Sequence, residues 1–304
     1  MMRYSDLKSK KIMFVAMLNI IIVVLEFIFG FISNSLALIT DAVHNLGDVL
    51  ALFVALIASY YALKSATSKM TFGYIRFEMM AAFVNSLFLC ITMIYVLYEA
   101  AIRFMNPVLI DAKSVIVVAS VALVVNSISA YLLRDNPDLH SHEHHHEDLN
   151  IKAAYLHMFG DAVISLGVVL GAVMTLYFQV LYIDPLLTFI FGVYILISSF
   201  KVLKKSFLSL IDANISGTKE YKELLLSFEE ICAVHDIHLT LPSSKDKYFS
   251  AHIVLKSSKS LEEIEHLIEN IRFSLKENFG VTHVIIQPET TKYMQTNDCY
   301  CISH

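Results

Sequence analysis

Two stretches of apolar sequence each carry a histidine followed four residues later by an aspartate. The first pair is His44 and Asp48, and the second is His157 and Asp161. Residues four apart lie on one face of an α-helix, about one turn from each other. Two such faces turned towards each other supply two imidazole nitrogens and two carboxylate oxygens, a set suited to tetrahedral Zn²⁺. The pattern therefore predicts a divalent-cation site.

The donor chemistry favours zinc over harder cations. Two carboxylates balance the 2+ charge, which reduces the free energy needed to hold the ion away from water. Nitrogen donors disfavour Mg²⁺ and Ca²⁺, whereas Co²⁺, Cd²⁺ and Fe²⁺ stay open. The alternative is that each pair only locks helices together, but four ionisable groups in apolar helices are a costly means to that end. Asp41, one turn before His44, is either an outer partner of the ligands or part of an access path.

The elements that carry these residues are long apolar runs. The chain has 304 residues, 56% of them hydrophobic, and its mean hydropathy is +0.61. Runs of about 20 apolar residues cross a bilayer as helices, because lipid offers backbone polar groups no partner. Six such spans are predicted, and the cation site lies between the second and the fifth. The spans are 12–32, 36–63, 77–101, 112–133, 151–178 and 184–203.

The distribution of basic residues predicts the orientation. Lysine or arginine precedes span one, separates spans two and three, and follows span six, while the opposite connections are short or poor in both. The positive-inside rule places those three positions, and both termini, in the cytoplasm. The first apolar run is too long for a signal peptide and is taken as a retained helix. Short loops and the lack of a targeting peptide favour a bacterial cytoplasmic membrane.

Composition changes near Lys204, after which charged, polar and apolar residues mix as they do in water-soluble domains. We predict a transmembrane domain over 1–205 and a cytoplasmic domain over 206–304. The fold class is therefore a six-helix membrane protein with a small α+β C-terminal domain, whose apolar faces form its core or pack against a second copy. Periodicity in this domain predicts a helix over 221–232, strands over 236–241 and 249–255, a helix over 261–279 and a strand over 282–287.

The remaining composition narrows the partners. A net charge of −5 without a long basic run argues against nucleic acid. Four cysteines are too few and too unevenly placed for a disulfide framework. Cys299 and Cys301, followed by His304, either hold a soft metal or form a plain terminus, because C-x-C is tighter than the usual structural zinc spacing. We expect zinc as substrate and structural ligand, and no organic cofactor.

Five histidines in seven residues occupy the predicted cytoplasmic loop between spans four and five. Such a biased segment either captures zinc before transport or is a solvated tether. The five are His140, His142, His144, His145 and His146.

The ordered pattern of residues resembles the cation diffusion facilitator family, in particular its zinc-exporting members, over nearly the whole chain. The resemblance implies a homodimer with a metallochaperone-like cytoplasmic domain, in which zinc crosses at the four His and Asp positions in exchange for protons. Manganese-type members lack this pair of histidines. The matching positions include Glu26, Gly30, 33–38, Asp41, His44, Asp48, 72–74, Arg76, Glu78, Asn85, Asn126, Asn150, 153–157, Asp161, Ser165, Gly167, Asp184 and Pro185.

The same resemblance points to metal ligands in the C-terminal domain. Some members stabilise their dimer with metal held by the matching segments, although Gln287 stands where some of them have histidine, which argues against a full binuclear site. The alternative is that these are surface or strand-edge histidines. The candidates are His235, His252 and Glu289, followed by His266 and His238.

The predicted function is alternating-access export of zinc, with protons replacing the released ion. The ordinary histidine pKa of about 6.5 makes that competition effective near neutral pH. Two other classes stay open. An intramembrane zinc metalloprotease needs an open coordination position and usually an H-E-x-x-H motif within a membrane helix, which the six predicted spans lack. A membrane-anchored zinc sensor or store has no need of ionisable residues in its spans, so a transporter, and not an enzyme, is favoured.

Overall fold

Six long helices precede a small mixed domain in the computed structural model, which describes residues 2–62, 66–133, 145–213 and 217–291. This arrangement confirms the predicted fold class. The long helices are α1 (Met2–Ile32), α2 (Leu36–Ala62), α3 (Phe77–Met105), α4 (Ala112–Leu133), α5 (His145–Phe178) and α6 (Ile183–Leu210). The elements that follow are α7 (Lys219–Leu226), β1 (Ile231–Thr240), β2 (Tyr248–Leu255), α8 (Leu261–Phe279) and β3 (His283–Thr290).

Four of the long helices, α3 to α6, are long and apolar enough to cross a bilayer. In α1 the apolar stretch among the described residues is the shorter Met17–Ile32. Helix α2 has 27 residues and is about 40 Å long, and its role as a span, like that of α1, stays a prediction. Helices α1, α3, α5 and α6 extend past the predicted spans, because a hydropathy pattern detects only the apolar part of a helix.

The chain divides into two compact units, Met1–Phe53 with Val84–Lys201 and Val54–Phe83 with Val202–His304. The predicted domain division at residues 205 and 206 stays a prediction. Within the first unit, α2 is packed on two sides by buried apolar side chains. Leu38 joins a cluster with Val115 of α4 and Val168 of α5. Val43 joins another with Leu89 of α3 and Ile195 of α6, so close packing holds the helix that carries the first His/Asp pair.

The start of α2 is held by a carboxylate of α6. Asp184 accepts hydrogen bonds from the Ser35 hydroxyl at 2.5 Å and from the backbone N–H of Leu36 at 2.9 Å. The first N–H groups of a helix have no partner within it, and negative charge is favourable there. Just before the helix, Asn34 has a φ of 58°, and Arg103 donates to its backbone oxygen at 2.5 Å and to its side-chain oxygen at 2.8 Å. Hydrogen bonds to α3 and α6 therefore fix the start of α2.

The C-terminal sheet has the strand order β1-β2-β3. β1 pairs antiparallel with β2, and β2 pairs parallel with β3 through α8, which makes a βαβ unit. Helix α8 has the predicted bounds. Ser260 and Glu263 form a capping box at its start, and Gly280 ends it with a φ of 64°. Its buried face, which includes Leu267, Ile271 and Leu275, packs in one core with the strands.

The predicted helix over 221–232 is too long. Helix α7 ends at Leu226, and β1 begins at Ile231, where Ile231 pairs with Leu255 of β2. The predicted strand over 236–241 is correspondingly too short, since β1 takes in five residues before it. Helical spacing continued in the sequence past Leu226, but pairing with β2 decides the conformation of Ile231 and the residues after it.

Candidate metal centre

The two His/Asp pairs of the transmembrane unit meet in space. His44 Nε2 lies 3.7 Å from Asp48 Oδ2 and 3.5 Å from Asp161 Oδ1. His157 Nε2 lies 3.2 Å from Asp48 Oδ2 and 3.8 Å from Asp161 Oδ2. Each histidine is thus nearer to the aspartate of the other helix than to that of its own. This geometry does not fit two separate pairs that are closed within their own helices.

The distances suit a tetrahedral ion. Donor atoms about 2.0 to 2.2 Å from Zn²⁺ lie about 3.3 to 3.6 Å apart in a tetrahedron, close to the four separations above. Ligand atoms of His44, Asp48 and Asp161 all lie within 4.8 Å of one another. His157 contacts both carboxylates, and its ring centroid lies 6.0 Å from that of His44. It therefore stands at the edge of the cluster formed by the other three.

The four side chains differ in exposure. Asp161 is 4% exposed and His44 is 17% exposed, whereas Asp48 is 31% and His157 is 40% exposed. The cluster is thus closed on the Asp161 side and open on the His157 side. Nitrogen and carboxylate donors that are partly exposed can replace the water shell of an incoming cation one ligand at a time.

A second polar group lies beside the cluster. Asp41 is buried and accepts a hydrogen bond from the Ser165 hydroxyl at 3.1 Å. Glu26 of α1 is buried as well and accepts one from the Asn45 amide at 3.0 Å. Asp41 is not among the atoms that converge within 4.8 Å, so its predicted role as an outer partner of the ligands stays a prediction. Sequence spacing alone did not single out Asn45 or Ser165 as the groups that hold the two carboxylates.

The C-terminal domain contains a second convergent cluster, formed by β1, β2 and β3. His235 Nε2 lies 3.1 Å from Glu289 Oε2, and His252 Nδ1 lies 2.9 Å from Glu289 Oε1. Glu289 is 6% exposed. The strand register produces this arrangement, because His235 is paired with His252 across the sheet. Gln287 donates to Glu289 Oε1 at 3.0 Å. It therefore helps to orient the carboxylate of Glu289 and does not take the place of a metal ligand.

Asp236 belongs to this second cluster, although no spacing in the sequence identifies it. The ladder between β1 and β2 is irregular between His235 and His238, and Asp236 there has a φ of 51°. A bulge of this kind turns a side chain out of the normal alternation. Asp236 Oδ2 lies 3.5 Å from His252 Nε2, and its Oδ1 lies 2.9 Å from His238 Nε2.

Other predicted metal ligands lie apart from these clusters or outside the described residues. His266 is exposed on α8 and does not join the convergent group among the residues that the structure describes. His140, His142 and His144 lie outside the described residues, as do Cys299, Cys301 and His304. Helix α5 begins at His145, so His145 and His146 lie in that helix rather than in the predicted loop. Their side chains lie outside the described part.

Two family models match this chain. The cation efflux transmembrane domain matches residues 12–211, and the cytoplasmic domain of cation efflux proteins matches residues 217–291. The cadmium, cobalt and zinc/H(+)-K(+) antiporter of Bacillus subtilis (strain 168) is 34% identical to this chain over 98% of its residues and 94% of the relative. The zinc transporter ZitB of Pectobacterium atrosepticum is 30% identical over 97% and 89%. The probable proton-coupled zinc antiporter SLC30A4 of Homo sapiens is 29% identical over 94% and 71%.

Apolar helices around a half-buried His/Asp cluster, joined to an α+β domain, define a multi-pass membrane transporter of metal cations. The chain belongs to the cation efflux family, also called the cation diffusion facilitator family. This is a family of transporters and not of enzymes, so the metalloprotease alternative is set aside.

Proposed function

We propose that this protein exports zinc from the cytoplasm in exchange for protons. The carrying observation is the crossed contact of the two His/Asp pairs, at separations close to the edges of a tetrahedral zinc site. The substrates and protons in the names of the relatives support the same choice. His44, Asp48, His157 and Asp161 are the proposed transport ligands.

The exchange follows from the chemistry of the four donors. A metal-binding imidazole must be neutral and a metal-binding carboxylate ionised, so binding of the cation competes with binding of protons. Protons that reach the site from the far side of the membrane displace the ion there, and the next ion from the cytoplasm displaces the protons. An inward proton gradient then drives zinc outwards. The same site serves Cd²⁺ and Co²⁺, which a His₂Asp₂ set also accepts.

The setting of the transporter completes the proposal. We place it in a bacterial cytoplasmic membrane, with both termini in the cytoplasm, because basic residues cluster on that side. It works as a homodimer, an assignment supported by the match of its C-terminal domain to the cytoplasmic domain of the family. A sensor or store is less favoured, since neither needs four ionisable ligands between membrane helices.

Transport by purified protein in liposomes tests this proposal. Vesicles that contain wild-type protein and an enclosed zinc-sensitive dye are expected to take up zinc. This uptake is expected to be faster when the vesicle interior is more acidic than the bath. Asp161→Asn keeps the size of the side chain and removes a ligand charge, so uptake is expected to fall to the level of protein-free vesicles. Asp111→Asn, in the exposed α3–α4 connection, is the matched control and keeps wild-type uptake.

Two results would count against the proposal. Uptake by Asp161→Asn at the wild-type rate would remove the transmembrane cluster from the pathway. Uptake that is indifferent to an imposed pH difference would remove the exchange of protons while leaving zinc transport intact.

A second function is supported by the cluster of His235, His252 and Glu289. A nearly buried carboxylate that faces two imidazoles from neighbouring strands is a suitable holder for a structural zinc ion. Zinc is then expected to raise the thermal unfolding temperature of the C-terminal domain, followed within the full chain. Glu289→Gln is expected to abolish that increase, and Glu262→Gln, exposed on α8, to preserve it. Equal stabilisation of both variants would assign the zinc effect to another site.

A further inference from the structure

Two carboxyl side chains that are not proposed ligands are buried together between helices. Glu26 of α1 is 0% exposed, and Asp41 of α2 is 1% exposed. Ionised carboxylates are strongly disfavoured in such surroundings unless cations or hydrogen-bond donors compensate them. Their roles are therefore decided by the groups around them.

Each carboxyl has one oxygen that is satisfied and one that is not. Glu26 Oε2 accepts a hydrogen bond from Asn45 at 3.0 Å, and Asp41 Oδ2 accepts one from Ser165 at 3.1 Å. Among the described residues, no group donates a hydrogen bond to Glu26 Oε1 or Asp41 Oδ1. Asn45, which donates to Glu26, lies one helical turn after Asp41 on α2, so the two carboxyl groups are neighbours that act on each other. Because an ionised carboxylate only accepts, a hydrogen bond between two carboxyls requires a proton.

The charged and titratable groups near Glu26 and Asp41 do not supply the positive charge that would compensate two ionised carboxylates. Asp161 is near enough to both carboxyls, and His44 to Asp41, to interact with them electrostatically. Helix α4, which packs against α1, carries Lys113 and Tyr131 as its titratable residues, at its opposite ends. Two neighbouring carboxylates in a site of low dielectric cannot readily both be ionised. One proton between them would supply the missing donor and remove one of the two negative charges.

We propose that Glu26 and Asp41 form a proton-binding site, which holds one proton while the transport site is free of metal and loses it when a divalent cation binds. The inference rests on the proposed function, since it adds a proton site beside the proposed ligands. The 2+ charge of the ion enters about one helical turn from Asp41 and favours ionisation of the pair. The O–H bond of the carboxyl then breaks, its electron pair stays on the carboxylate, and the proton passes to water.

Infrared difference spectroscopy on the full-length purified protein, with Zn²⁺ alone as the probe, tests this inference. Addition of zinc to the wild type is expected to remove a carbonyl-stretch band of a protonated carboxyl. Glu26→Gln keeps the shape of the side chain and cannot ionise, so that loss is expected to disappear. Asp41→Asn is expected to behave in the same way. In a dilute buffer with a pH indicator, Glu26→Gln is expected to release about one proton fewer for each zinc bound.

Glu99→Gln provides the matched control. Glu99 also lies in a long apolar helix, but it is paired with Arg103 at 3.5 Å, so its replacement is expected to leave both the band and the proton count unchanged. A protonated carboxyl band that persists in zinc-loaded wild type would overturn the inference, because the proton would then be a permanent structural hydrogen. Unchanged proton release by Glu26→Gln would overturn it as well.

The test separates this inference from the proposed function. Zinc binding is measured by calorimetry on the same samples. If Asp161→Asn binds zinc as the wild type does, the proposed transport site is wrong. If Asp161→Asn loses the zinc ion of the membrane helices and keeps that of the C-terminal domain, while the carboxyl band of the wild type is indifferent to zinc, the transport site stands and the proton site alone is wrong. Should either pair variant fail to fold, the wild-type spectrum still decides whether a carboxyl gives up its proton.

Discussion

His157 Nε2 lies 3.2 Å from Asp48 Oδ2, closer than the 3.8 Å that separates it from Asp161 on its own helix. The two residues come from α5 and α2, so the shortest contact of the cluster joins two helices that are far apart in sequence. Loss of either residue therefore weakens the same interhelical arrangement.

The crossed contact predicts that variants of these two residues are not additive. Asp48→Asn and His157→Ala are each expected to weaken zinc binding, and the double variant to be weaker by much less than the sum of the two free-energy changes, because the partners share one ion. Calorimetric zinc titration of the four proteins measures the coupling. Additivity within about 0.5 kcal/mol would indicate that the two residues act independently.

Replacement of His44 by aspartate is expected to change metal preference before it abolishes transport. The His44→Asp variant has three carboxylates and one imidazole, a harder and more negative set that favours oxygen-preferring Mn²⁺ relative to Zn²⁺. Uptake of both ions into liposomes, measured in competition, is expected to show a higher ratio of manganese to zinc. His266→Asp, on the exposed face of α8, serves as the control. An unchanged ratio in His44→Asp would place selectivity elsewhere.

A side chain at position 47, beside Asp48, is expected to collide with the side chain of Leu89. A Cβ atom there would lie 2.7 Å from Leu89 of α3, so Gly47→Ala forces α2 and α3 apart or Leu89 out of its position. We expect a loss of about 1 to 3 kcal/mol in stability, together with weaker zinc binding. The double variant Gly47→Ala/Leu89→Ala relieves the overlap and is expected to recover zinc binding. Thermal unfolding and zinc titration of both variants check this, and no recovery would assign the defect to another cause.

The start of α8 is expected to loosen in acid. Hydrogen bonds from the Ser260 N–H at 2.7 Å and hydroxyl at 2.9 Å lower the pKa of Glu263. A pKa that is lower in the folded state means that the contribution of the ionised group is present above the unfolded pKa and is lost as the pH falls through the folded pKa. Amide hydrogen exchange at residues 260–264, corrected for intrinsic rates, is expected to accelerate across that range. Glu263→Gln is expected to show no such step, whereas Glu262→Gln keeps it.

Sequence patterns predicted the elements well where one local signal dominates. Helix α2 begins at Leu36 and α8 spans 261–279, as predicted, because an apolar run marks the first and amphipathic periodicity marks the second. The end of α7 was missed, since the strand that starts at Ile231 depends on its pairing with Leu255 of β2. Local spacing contains no information about a partner more than twenty residues away.

The same distinction applies to the candidate sites. Spacing of four residues placed His44 with Asp48, and His157 with Asp161, on single helix faces. It could not predict the crossed contacts, because they depend on how α2 and α5 pack. Asp236 was missed for a related reason. Its side chain reaches His252 through a β-bulge and a φ of 51°, and neither feature has a signature in the surrounding sequence.

The hydrogen bonds from Ser35 and Leu36 to Asp184 fix the position of the first turn of α2, so a change in the tilt of this helix moves its later turns most. At 1.5 Å per residue, His44 stands about 12 Å and Asp48 about 18 Å along the helix from Leu36. A tilt of about 5° around the tied end would displace them by about 1 Å and 1.5 Å respectively, whereas a metal–ligand distance tolerates about 0.2 Å. A small tilt of α2 at its fixed end therefore moves His44 and Asp48 away from the ligands on α5 by more than a coordinated ion allows.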